Sequence, residues 1–143
     1  MGTRRKSREF AMQMLFQGDL GKQTSAEVES LFWESRDDVD SETKGFAGDL
    51  HRIAATQSDQ IDALIQKHSS NWRIERMAVV DRSLLRAAVA EMVGFPRTPV
   101  AVIINETLEL AKLYASPESL SFLNGVLDAV GRDMLERKLT AKR

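Results

Sequence analysis

At 143 residues, 43% of them apolar, the chain holds enough hydrophobic material for one domain, or for two small helical halves sharing a core. A formal net charge of −1 excludes attraction to nucleic acid by overall charge, so any hold on phosphate must come from local clustering. The absence of cysteine excludes disulfides, thiolate metal sites and cysteine nucleophiles, and fits a reducing cytoplasm.

No apolar run approaches the roughly 20 residues that span a bilayer, so no membrane partner is expected. The basic opening Arg4-Arg5-Lys6-Ser7-Arg8 is not read as a signal peptide, because the apolar stretch behind it is short, is broken by Gln13 and Gln17, and meets Asp19.

The periodicity is helical almost throughout. A first helix is predicted from about Thr3 to Leu20, stopping near Gly21, and a second from about Ser25 to Glu34 with Val28, Leu31 and Phe32 at helical spacing. The Asp- and Ser-rich stretch from Glu34 to Glu42 reads as an exposed loop. A third helix carries Phe46, Leu50 and Ile53, and a fourth carries Ile61, Leu64, Ile65 and His68, with a break between Ala55 and Asp59. Trp72 falls in a turn. A fifth helix begins near Ala78 and places Val80, Leu84, Leu85, Ala88, Val89 and Met92 inside. Gly94 and Pro96 stop it, and Thr98-Pro99 reads as an N-cap followed by proline in the first helical position. The sixth helix runs to about Ala115. Ser116-Pro117-Glu118 repeats the start signal, with a carboxylate at the positive end of the dipole, and the seventh helix reaches about Arg137 before fraying. The expected fold class is all-α, a compact bundle of about seven helices.

On the first helix, at about 100° per residue, Phe10, Ala11, Met14 and Leu15 share an arc that faces the core. Arg4, Arg5 and Arg8 fall on another arc, with Met12 and Phe16 further along that side, over about 18 Å of helix. Such a strip could track a phosphate backbone and stack an unpaired base. The competing reading is a solvated basic first turn with Phe16 as extra core. On the last helix Leu120, Leu123, Leu127, Val130 and Met134 form a narrow stripe, and Phe122 projects about 100° away from it. It is either a second core contact or an exposed platform. Gly125, costly in mid-helix, suggests that another backbone passes close by.

Glu106 and Glu109 lie one turn apart on the sixth helix, but no Glu-x-x-His motif accompanies them, and the only histidines are His51 and His68, read as surface or boundary residues. A Glu109–Lys112 pair, with Asn105 or Glu106 bonding to buried backbone, accounts for them more cheaply. No Gly-rich phosphate loop and no nucleophile–base pair is present, so neither an enzyme nor a cofactor is expected.

Four segments together resemble the NusB family over nearly the whole chain. They are Arg4-Arg5-Lys6-Ser7-Arg8-Glu9-Phe10-Ala11-Met12-Gln13-Met14-Leu15-Phe16; Val80-Asp81-Arg82-Ser83-Leu84-Leu85-Arg86 with Glu91; Pro99-Val100-Ala101-Val102-Ile103-Ile104-Asn105-Glu106 running on to Glu109-Leu110-Ala111-Lys112; and Ser119-Leu120-Ser121-Phe122-Leu123-Asn124-Gly125-Val126-Leu127-Asp128. The last two, in this order and spacing, are the specific ones.

The resemblance implies two helical subdomains, 1–75 and 76–143, and a transcription antitermination factor that binds single-stranded boxA RNA of ribosomal RNA leader transcripts together with NusE, a small-subunit ribosomal protein, within the RNA polymerase antitermination complex. By position it implies RNA contacts at Arg4, Arg5, Lys6, Arg8, Glu118, Ser119 and Phe122, and NusE contacts at Phe16 and Asp81. Phe16 thus changes from a base-stacking ring to a protein contact. Phe16 stands where the family usually has tyrosine, Glu118 where aspartate is commoner, and Leu120 where a polar residue is frequent. The second class of function is a helical protein–protein adaptor or homodimer whose basic N-terminus is only a solvated face.

Overall fold

The computed structural model describes residues 2–141, with side chains placed for 3–137. Among the described residues there are seven α-helices and no strand: α1 Gly2–Gly21, α2 Ser25–Glu34, α3 Ser41–Thr56, α4 Ser58–Lys67, α5 Val79–Gly94, α6 Val100–Tyr114 and α7 Pro117–Ala141, with a 3₁₀ turn at Ile74–Arg76. None is long and apolar enough to cross a membrane. The all-α expectation holds, and the 3₁₀ turn is an addition to it.

Local chemistry sets several of the ends. Thr24 and Glu27 form a reciprocal capping box at α2, and the Asp40 carboxylate accepts from the Thr43 N–H at the start of α3. At the end of α1 the left-handed position falls on Lys22 (φ 53°), one residue past Gly21, and the Gln23 N–H closes the turn onto the Gly18 carbonyl. Pro99 is itself the N-cap of α6, so the helix begins at Val100, one residue later than the Thr98-Pro99 reading placed it. The predicted fraying beyond Arg137 is not seen as far as Ala141, and residues 142 and 143 lie outside the described residues.

The fold is organised around α5. It packs against α1, α3, α4, α6 and α7, and Ser83 to Leu85 and Ala87 to Met92 are all buried. The main core joins Met12 of α1, Ile61, Leu64 and Ile65 of α4, and Ile74 to residues of α5, α6 and α7. Two smaller clusters lie along α1. Phe10 and Met14 pack with Val28, Phe32 and Ala47, and Ala11 packs with Phe46 and Leu50. One helix therefore sends neighbouring residues into three clusters, so Met12 is core and not part of a solvent-facing strip.

Two polar clamps fix α1 on α5. At one end Arg8 Nε and Nη2 donate to the two carboxylate oxygens of Glu91, both at 2.7 Å. Arg8 is 9% exposed and Glu91 1%. The reading of Arg8 as a free cation beside Arg4 and Arg5 is corrected here: its guanidinium turns inward to a carboxylate 83 residues away, a partner that helical periodicity does not reveal. At the other end Asp19 receives Arg82 at 2.5 and 3.0 Å and Arg86 at 3.3 Å, and Arg86 also forks onto Asp62 of α4. The Arg82 hydrogen bonds hold the Asp19 carboxyl below its ordinary range.

Three smaller expectations are also corrected. No atom approaches within 4 Å of a Cβ built at Gly125, whereas one at Gly131 would stand 2.6 Å from Val100 Cγ1, so the close approach on α7 belongs to Gly131. His51 is buried against Glu29 (3.1 Å) and is no boundary residue, whereas the half-buried His68, at 2.8 Å from Asp133, is one. Glu106 accepts Arg5 rather than a backbone group, while the Glu109–Lys112 pair forms as expected at 2.8 Å.

Breaking the inner clamp by Arg8→Ala or Glu91→Gln is expected to lower stability by about 3–5 kcal/mol, because each leaves a buried charge or polar group without its partner. Replacing both by apolar residues of similar volume should recover most of that loss. Denaturant unfolding of the three variants checks it, and equal losses in single and paired variants would contradict the clamp. For the outer clamp the sign follows from a depressed carboxyl. Its contribution is complete above the unfolded pKa of about 3.9 and is lost as pH falls through the lower folded value. The stability gap between wild type and Asp19→Asn should therefore stay constant from pH 7 to 5 and shrink below about pH 4.

Candidate nucleic-acid interface

Once Arg8 is withdrawn, three cations remain on the outer face of the first two turns of α1. The Arg4 guanidinium lies 3.9 Å from the centroid of the Phe46 ring, and Arg4 is exposed. Arg5 forks onto Glu106 of α6 at 2.9 and 2.8 Å, which raises the Arg5 pKa and depresses that of Glu106. Lys6 reaches Glu9 at 3.1 Å. Exposed pairs of this kind are worth about 0–1 kcal/mol, so a phosphate can replace the carboxylate at little cost. Arg8 stands behind them at 3.8 Å from Glu106 and fixes the helix that displays them.

The α1 surface continues toward the start of α7. Tyr114, at the end of α6, donates to Glu9 and accepts from Gln13 at 3.0 Å. Two residues later Ser116 and Ser119 exchange a hydrogen bond at 3.1 Å, and the Ser119 hydroxyl donates to Asp81 of α5 at 2.8 Å. Phe16 is half-buried, about two turns beyond Glu9 on the same face of α1. Phe16 and Asp81 flank the Asp19–Arg82 pair, one three residues before Asp19 and the other next to Arg82.

Glu118, Ser119, Phe122 and Asp81 line one cleft of about 280 Å³ together with Trp72 and Arg76. The structure thus brings together three residues assigned to RNA and one assigned to NusE, and it adds two that the sequence reading did not single out as site residues. Trp72 could have been found by its place in a polar turn, outside any apolar period. Phe122 turns out to be intermediate between its two readings: it packs partly against the main core and presents the rest of its ring to the cleft. Among the described residues no group of three His, Asp or Glu is placed to hold a metal ion.

Known proteins resemble the chain in sequence and in fold. A family model described as "NusB family" matches residues 5–132. The transcription antitermination protein NusB of Koribacter versatilis is 56% identical over 138 residues, covering 96% of this chain and 94% of that one. A solved structure described as a plectonemic RNA supercoil contains a chain that superposes with a TM-score of 0.87 at 27% identity, over 94% of this chain and 98% of that one. A structure of antitermination factors NusB and NusE in complex with dsRNA gives 0.84 at 27% identity, over 93% and 98%.

Proposed function

The chain belongs to the NusB family, and on that premise we propose that it is a transcription antitermination factor that acts by binding and not by catalysis, taking boxA-type RNA of ribosomal RNA leader transcripts together with NusE. The observation that carries this reading is its likeness, over nearly its whole length, to a chain in a structure of antitermination factors NusB and NusE in complex with dsRNA. The local chemistry agrees with it. Arg4, Arg5 and Lys6 offer phosphate contacts, Phe122 offers a ring to a base, and Glu118 and Ser119 offer polar groups to its edge within one turn of that ring. Phe16 and Asp81 are the NusE-facing pair. RNA polymerase is engaged through the assembled complex, in the cytoplasm.

Loss of Arg4 and Lys6 together (Arg4→Ala, Lys6→Ala) is expected to flatten the salt dependence of boxA binding by about 0.7 log units per lost contact, with wild-type thermal stability. A helical adaptor without RNA binding would show no slope to flatten. Phe122→Ala should weaken RNA binding by about 1–3 kcal/mol. It should also cost about 1.5–2.5 kcal/mol of stability, roughly half the loss for a fully buried ring. Phe122→Trp should keep the binding. RNA titrations paired with melts separate the two effects, and intact RNA affinity at a permissive temperature would make Phe122 a core residue alone. In calorimetry with purified NusE, Phe16→Asp and Asp81→Arg should each weaken the complex, the first through lost apolar contact and the second through reversed charge. Wild-type affinity in both would remove that surface from the reading.

A further inference from the structure

Trp72 is 56% exposed, and it differs from the other exposed apolar side chains, which lie on helices, in standing on a turn. The Gln66 amide reaches from α4 and clamps the turn at two points: its Nε2 donates to the Trp72 carbonyl at 2.8 Å and its Oε1 accepts from the Ile74 N–H at 2.9 Å. The Trp72 N–H donates to the Ser69 carbonyl at 2.8 Å. Further along, Arg82 Nη1 donates to the carbonyls of Glu75 and Met77, both at 3.2 Å. None of these bonds uses the indole. The turn is built, and the ring is left over.

Two clefts meet at that ring. Trp72 and Phe122 both line the 280 Å³ cleft that holds Asp81 and Ser119. They also both line a second cleft of about 300 Å³, formed with His68, Asn71, Ser121 and Gly125. The bare Cα of Gly125, with nothing within 4 Å of a Cβ placed there, leaves the floor of the second cleft open. Arg76 stands at the first cleft and has no ion-pair partner among the described residues.

We propose that Trp72 is a second stacking platform, so that a single strand of RNA crosses from one cleft to the other with consecutive nucleobases on Phe122 and Trp72 and with a phosphate near Arg76. This rests on the RNA reading above and extends it from one base to two. Every base has a π-face, so the indole adds affinity with little sequence preference. Choice of base falls to the first cleft, where the carboxylate of Glu118 accepts from amino edges.

The test uses the full chain, NusE from the same organism and a synthetic boxA RNA. Trp72→Ala should bind that RNA about 5- to 150-fold more weakly, the worth of one stacked base. Trp72→Phe should stay within a few-fold of wild type. The melting temperature and NusE affinity of Trp72→Ala should match wild type, since the indole is exposed and outside the core. The chain has two tryptophans, so in Trp33→Phe all indole emission comes from Trp72, and RNA should quench it. Wild-type RNA affinity in Trp72→Ala, with emission unmoved by RNA, overturns the proposal. An equal loss of NusE affinity overturns it too, by assigning the ring to the protein partner. A wild-type protein that binds no RNA at all sinks the antitermination reading first, and this one with it.

Discussion

A buried ion pair between the first helix and the central one is the constraint on which the rest of the arrangement depends. Arg8 and Glu91 meet as a two-bond fork inside the molecule, where each charge would be severely penalised alone. An apolar seam between α1 and α5 could slide by a turn and still bury most of its area. The fork cannot, because a slip in either direction leaves two buried charges unpaired. Asp19 with Arg82 and Arg86 repeats the restriction at the other end of α1, closer to solvent. The register of α1 is therefore set by charge geometry, and the hydrophobic residues around it supply the bulk of the burial.

That register carries the proposed interface. Four polar residues of α5 have separate duties on its two sides. Glu91 and Arg86 hold α1 and α4, Arg82 holds both the end of α1 and the turn after Trp72, and Asp81 holds the start of α7 through Ser119. Basic side chains on α1, the Trp72 turn and the first turns of α7 come from distant parts of the chain. They are positioned by one shared support, which suits a surface that must meet an extended ligand at several points.

How much of this was legible in the sequence follows from the range of the interactions involved. Helix existence was readable because capping and period are local: Thr24 with Glu27, Asp40 with Thr43, and the apolar spacing of α5 need only a few neighbours. The α5 segment Asp81 to Arg86 with Glu91 was singled out through the family resemblance. Its physical content appeared only when the fold brought Arg8 and Asp19 to it. Arg8 looked like a surface cation because a helical wheel has no knowledge of a carboxylate 83 positions on. His51 and Gly125 were misplaced for the same reason. One lies against a neighbouring helix and the other faces a cleft, and neither environment is encoded within a turn of the residue. The turn at Trp72 is legible from its polar neighbours, but its exposure beside Phe122 depends on the packing of α4 against α7.

The same distinction bears on how a chain of net charge −1 attracts a polyanion at all. Its basic opening divides into one cation committed to the fold and three at the surface. Arg5 and Lys6 are exposed and pair with half-buried carboxylates at the surface, where the attraction is weakened by water and screened by salt, and Arg4 rests on an aromatic face. Exchange of Glu106 for a phosphate keeps the Arg5 fork filled and frees a carboxylate that water can solvate. The same exchange at Arg8 would strand Glu91 in the interior. On the proposed RNA reading, counterion release would therefore count Arg4, Arg5 and Lys6 but not Arg8. On the same reading the carboxylates paired with Arg5 and Lys6 would be exchangeable placeholders: they hold the two cationic side chains in one direction in the free protein, which lowers the ordering entropy that binding would otherwise cost.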